Sequence, residues 1–76
     1  MISKIEDLFA TILQIPPEEV RDSLSPEFLD GWDSFQHMIL VSAFEEEFDI
    51  SVEPEEIVEM YKDFKTFKNI ILEKIV

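Results

Sequence analysis
The chain has no cysteine, so neither a disulfide nor a thiolate metal site can hold it together, and packing alone has to fold it. A single glycine and four prolines leave few turn residues, which points to helices joined by short loops. Long apolar runs are missing as well. Nothing approaches the ~20 residues of a membrane span, and the start Met1-Ile2-Ser3-Lys4 lacks the apolar core of a secretion signal, so the cytoplasm is the expected location. Basic residues are scarce, 6 against 18 acids. The resulting net charge of -12 argues against binding nucleic-acid phosphates or an anionic membrane and makes a basic protein surface the natural partner.

What is present is apolar enough to fold. A hydrophobic content of 46% supports a packed core against the disorder that such a charge would otherwise suggest. Seventy-six residues make one domain, 1–76, at the small end of what a single core supports without staples. No repeat or low-complexity segment interrupts it.

Ser3 with Glu6 fits a capping box, and Ile5, Leu8, Phe9 and Ile12 recur at helical spacing with Leu13 at the flank. This predicts a first helix from about Lys4 to Gln14, stopped by Pro16-Pro17. From Pro16 to Trp32 the pattern lapses into a long connection. Val20, Leu24, Phe28 and Leu29 are expected to pin it to the core, with short helical turns opening at Pro17 and Pro26.

Gly31-Trp32-Asp33-Ser34-Phe35 follows. Gly31 can end the loop at positive φ, Asp33 or Ser34 can cap a helix, and the next residues keep a helical period to Phe48. Ser34 is therefore placed at a helix start. Its hydroxyl there faces solvent, and a phosphate attached to it meets free N–H groups and the positive end of the helix dipole. Successive residues 100° apart put His37, Leu40, Val41, Phe44 and Phe48 on one core stripe. Phe35, Ile39 and Ser42 fall opposite with Glu46, and Met38 lies between. One helix of a single-layer domain cannot bury both sides, so Phe35, Met38 and Ile39 are candidates for an exposed apolar patch, rimmed by Glu45-Glu46-Glu47.

Asp49 to Val52 reads as an extended linker. Pro54 opens a short third helix that ends near Tyr61, with Ile57, Val58 and Tyr61 on one face. Thr66 is expected to cap a fourth helix whose core stripe is Phe67, Ile70, Ile71 and Ile75. The fold class is thus all-α, a small four-helix bundle with a long first loop and a short third helix.

His37 is the single histidine and points inward, so it reads as a core residue, not a catalytic one; no second titrating group stands at a motif spacing from it. Trp32 reads as a buried anchor for the loop. Asp30 and Asp33 flank Gly31-Trp32, but a calcium loop needs more oxygen ligands in a set order, and no metal is expected.

Beyond these local readings, Asp33-Ser34-Phe35, Phe44-Glu45-Glu46-Glu47-Phe48-Asp49-Ile50 and Glu53-Pro54-Glu55-Glu56 resemble the acyl and peptidyl carrier proteins over nearly the whole chain. Phe35 stands where that family usually has leucine. The resemblance implies an acyl-carrier-like bundle in which Ser34 bears a 4′-phosphopantetheine arm and Asp33 helps the modifying phosphopantetheinyl transferase hold its magnesium. It implies no enzyme activity of the chain's own. Its further partners would be an acyl- or aminoacyl-activating enzyme and a downstream transferase or synthase, docking on Phe35, Met38, Ile39, Ser42, Glu45 and Glu46 of a monomeric carrier.

Fatty-acid carriers commonly have acids in the first turns after the serine, where this chain has Gln36, His37 and Ile39; that departure suggests a dedicated partner in a specialised pathway. Trp32-Asp33-Ser34-Phe35-Gln36-His37 is similar to stand-alone secondary carriers, and Asp33-Ser34-Phe35 with Phe48-Asp49-Ile50 is similar to D-alanyl carriers. The pathway stays open between them. An acidic helical interaction module with no arm, and a small metal-binding protein, are the alternatives from other classes.

Overall fold
The computed structural model describes residues 2–75, with side chains described for residues 4–75. Among them are four α-helices and no strand: α1 Ile2–Leu13, α2 Ser34–Phe48, α3 Pro54–Met60 and α4 Phe64–Ile75. The arrangement is the acyl-carrier-like bundle expected.

Helix α1 starts earlier than the periodicity suggested, so Ser3 lies inside its first turn instead of capping it, and the Ser3 side chain lies outside the described residues. Gln14 ends the helix in the left-handed region at φ 60°, and Ile15 N–H then reaches the Ala10 carbonyl at 3.0 Å. Ile5, Phe9, Ala10 and Leu13 are buried along one side.

The long connection makes single 3₁₀ turns at Pro17–Glu19 and Pro26–Phe28, each with proline at its first position, as expected. Val20 and Leu24 are buried and Leu29 is half-buried. Phe28 is not an anchor: 77% of it is exposed, because the turn at Pro26 carries its ring outward and Leu24 and Trp32 take the places against the core. Gly31 is corrected too. Its φ is not positive, and a Cβ there would meet the Leu13 carbonyl at an ordinary 3.9 Å, so the loop does not need glycine at that point.

The largest fully buried side chains are aromatic. Phe9 meets Trp32, Phe64 and Phe67 edge-on at centroid distances of 5.0, 4.8 and 5.4 Å, and Phe44 meets Phe67 at 4.9 Å. These rings come from α1, the loop, α2 and α4, so a single cluster ties all four segments together.

Helix α3 is seven residues long, with Pro54 at its start and a reciprocal cap between Glu53 and Glu56. Its inward face differs from expectation: Met60 is fully buried and Val58 is 75% exposed, while Ile57 and Tyr61 are half-buried. Helix α4 starts at Phe64, before Thr66. Asp63 is its cap, its carboxylate accepting from Thr66 N–H at 2.8 Å, so Thr66 sits within the first turn. The reason lies in the distant loop: the Leu24 and Asp22 carbonyls accept from Phe64 and Lys65 N–H at 2.7 and 3.2 Å, satisfying donors that a helix start leaves open. Lys68 adds an ion pair to Asp22 at 2.6 Å.

Candidate functional site
The site begins with a cap. Asp33 is extended at φ -100°, ψ -178°, and its carboxylate accepts from Gln36 N–H at 2.8 Å. Ser34 is consequently the first helical residue of α2, and it is exposed. Its N–H and that of Phe35 precede the first i−4 carbonyl available within the helix, so this end presents free donors beside the hydroxyl.

Trp32, two residues before Ser34, is 1% exposed and holds the loop in place. Its indole N–H donates to Nδ1 of His37 at 3.0 Å, and Nε2 of His37 lies 2.7 Å from the Ile57 carbonyl on α3. An indole nitrogen only donates, so Nδ1 accepts; the imidazole proton is therefore on Nε2 and goes to Ile57. His37 is thus a neutral, buried bridge between the loop, α2 and α3. The inward position was readable from helical spacing. Its partner on α3, a backbone carbonyl twenty residues away, carries no signal in the side-chain pattern.

Burial holds the His37 pKa below the ordinary histidine value of 6.5, the Ile57 hydrogen bond opposing this more weakly. The unfolded chain then binds the proton more readily than the folded one. His37 accordingly contributes stability that is complete above pH 6.5 and is lost as pH falls through the window down to its folded pKa. In urea titrations, the stability of the natural chain relative to a His37→Gln variant is expected to shrink as pH falls below about 6.5, with a slope of at most about 1.4 kcal/mol per pH unit. A flat difference would mean that the ring takes a proton at no cost. Glu56, held low by the Lys74 ammonium and then by Glu53 N–H, and Asp63, held low by the Thr66 hydroxyl and N–H, lose their contributions only at lower pH.

On the outer side of α2, Phe35, Met38, Ile39, Ser42, Ala43 and Glu46 line one open, shallow depression. Phe35 is 72% exposed and Met38 51%, so the apolar patch next to Ser34 is present as a surface. Six of the eight singled-out residues, Ser34, Phe35, Met38, Ile39, Ser42 and Glu46, are gathered on this exposed side. Asp33 stands just before them. Glu45 does not join them, because its carboxylate turns to the α2–α3 linker and accepts from Val52 N–H at 2.9 Å. Glu47 pairs with Lys4 at 3.1 Å, which leaves Glu46 as the acid of that run lining the depression. Ala43 was missed; it only completes the wall.

No group of three or more potential metal ligands occurs among the described residues, and no helix among them is long and apolar enough to cross a membrane.

Ser34 thus stands exposed at the first position of a capped helix, beside an apolar strip, in a small acidic four-helix bundle. Residues 3–71 match the family described as Phosphopantetheine attachment site, and the chain belongs to that family. No curated protein matches the chain. The prosthetic group of the family is 4′-phosphopantetheine, and its members work with a phosphopantetheinyl transferase and with biosynthetic enzymes.

Proposed function
We propose that residues 1–76 form a single carrier domain holding an acyl or aminoacyl intermediate as a thioester on a 4′-phosphopantetheine arm attached to Ser34, in a specialised or secondary biosynthetic pathway. The observation that carries this reading is the exposed Ser34 hydroxyl at the first position of α2, with the Phe35, Met38 and Ile39 strip beside it.

The residues fit the group. Ser34 Oγ attacks the phosphorus on the pantetheine side of coenzyme A, the bond to adenosine 3′,5′-bisphosphate breaks, and the hydroxyl proton leaves to a base. The chain offers no histidine for that, since His37 is buried and both its nitrogens are engaged. The transferase supplies the base. One Asp33 oxygen accepts from Gln36 N–H; Asp33 would help the transferase hold its magnesium. The free N–H groups of the first turn would favour an anion held at Ser34. The arm contributes the thiol that this cysteine-free chain lacks.

The chain's own contribution is tethering, which raises the effective concentration of the cargo at each partner, without catalysis. An activating enzyme and a downstream transferase or synthase share the α2 strip, with Phe35, Met38 and Ile39 as the apolar contact, Ser42 beside them and Glu46 at the rim. Each partner must let go, so the contact is small and weak. We assign the carrier to the cytoplasm as a monomer.

The test is an intact-mass measurement after incubation with coenzyme A and a broad-specificity transferase. A gain of about 340 Da from covalent phosphate attachment, mapped to the peptide bearing Ser34, is the expected result. A chain that stays at its starting mass would leave an acidic interaction module without an arm as the better description.

A further inference from the structure
An arm on Ser34 gives its cargo two apolar places within reach. One is the open strip of Phe35, Met38 and Ile39 on the outer side of α2. The other is the core beneath α2 and α3, and His37 stands across the way to it. The ring uses both nitrogens, accepting from the Trp32 indole at 3.0 Å and donating to the Ile57 carbonyl at 2.7 Å. It also packs at 4.8 Å against the Tyr61 ring and at 6.1 Å against Phe67. Behind it, Phe67 is filled in by Phe9 and Phe44 at 5.4 and 4.9 Å. An alkyl chain entering between α2 and α3 must part His37 from Ile57, stranding the N–H of the buried ring and the part-buried Ile57 carbonyl, which nothing apolar can satisfy. It must also displace rings from an interior already closely packed.

We propose that His37 is a latch that keeps the seam between α2 and α3 shut, so that the cargo stays outside the helical core and this carrier serves short or polar acyl or aminoacyl groups in preference to long alkyl chains. The proposal rests on the carrier reading of Ser34. His37 acts here as a positioning residue: it touches neither arm nor cargo, and it sets which space the cargo can occupy.

The chain is loaded by the transferase from acetyl- and from octanoyl-coenzyme A, and intact mass reports the loading separately. The Trp32 indole N–H resonance and the melting temperature are then compared between the two loaded forms. Both readouts are expected to coincide, the two melting temperatures agreeing within about 3 °C. In a His37→Asn variant the amide oxygen can stand in for Nδ1 toward Trp32, but the side chain is too short to donate to Ile57. There the octanoyl form is expected to melt higher than the acetyl form and to shift the indole resonance. An octanoyl-dependent rise or indole shift in the natural chain overturns the proposal, and so does a variant that responds as the natural chain does. The natural-chain comparison stands even where the variant does not fold. A chain that gains no mass overturns the carrier reading, and this one with it.

Discussion

A Ser34→Ala chain will take up no arm and will melt where the natural chain melts. Alanine is a good helix former, and the cap of α2 belongs to Asp33, whose carboxylate still reaches Gln36 N–H, so the change removes one exposed hydroxyl and little else. Loading falls to zero while stability stays within about 0.5 kcal/mol. Ser51→Ala is the control. Ser51 is exposed in the α2–α3 linker, outside α2 and its outer strip. Its replacement leaves loading intact. Mass gain surviving in the Ser34→Ala chain would remove the assignment, whatever the fold.

Phe9→Ala is expected to cost about 3–5 kcal/mol. The ring is fully buried and lies edge-on to Trp32, Phe64 and Phe67, so truncation opens a void where the loop and α4 meet α1. A chain of this length has roughly 4–11 kcal/mol in total, so the variant loses a large share of its stability and its urea midpoint falls accordingly. Phe35→Ala removes the same side chain from the opposite situation. Stability is expected to change by no more than about 0.5 kcal/mol, while loading by the partner enzyme slows. If Phe35→Ala destabilised the fold as Phe9→Ala does, the strip would be part of the core and not a contact for partners.

The contrast between these two phenylalanines shows where the sequence was readable. Helix α2 was legible from Ser34 to Phe48 because three local signals coincide: an acid able to cap it, a sustained helical period, and a break in that period at Asp49. Asp49 in fact takes the left-handed conformation at φ 54°, ending the helix sharply instead of starting an extended linker. Its exposed side was legible for a related reason, since a helix with apolar residues all round cannot bury them all in one layer.

Where only local pattern was available the reading failed. Helix α3 spans barely two turns, too few for periodicity to choose between Val58 and Met60, and packing against α4 decided for Met60. Asp63 and Thr66 are both good caps. The choice between them was made by the carbonyls of Asp22 and Leu24, some forty residues earlier in the chain. Phe28 reads as an anchor by composition, yet a one-turn helix at Pro26 is enough to swing it into solvent. In the site, capping placed Asp33 and Ser34 at the start of α2, while the roles proposed for them came from the resemblance to carrier proteins. Glu45 was counted with its neighbours because three glutamates in a row look alike until the fold hands one of them the Val52 N–H.

The buried indole of Trp32 has a practical consequence. It is the single tryptophan of the chain and lies two residues ahead of Ser34, out of water and against an imidazole. Emission excited at the red edge of protein absorption therefore comes from one fluorophore beside the proposed attachment point. Its wavelength and lifetime follow the seating of that segment without any added dye, through modification, charging and discharge alike.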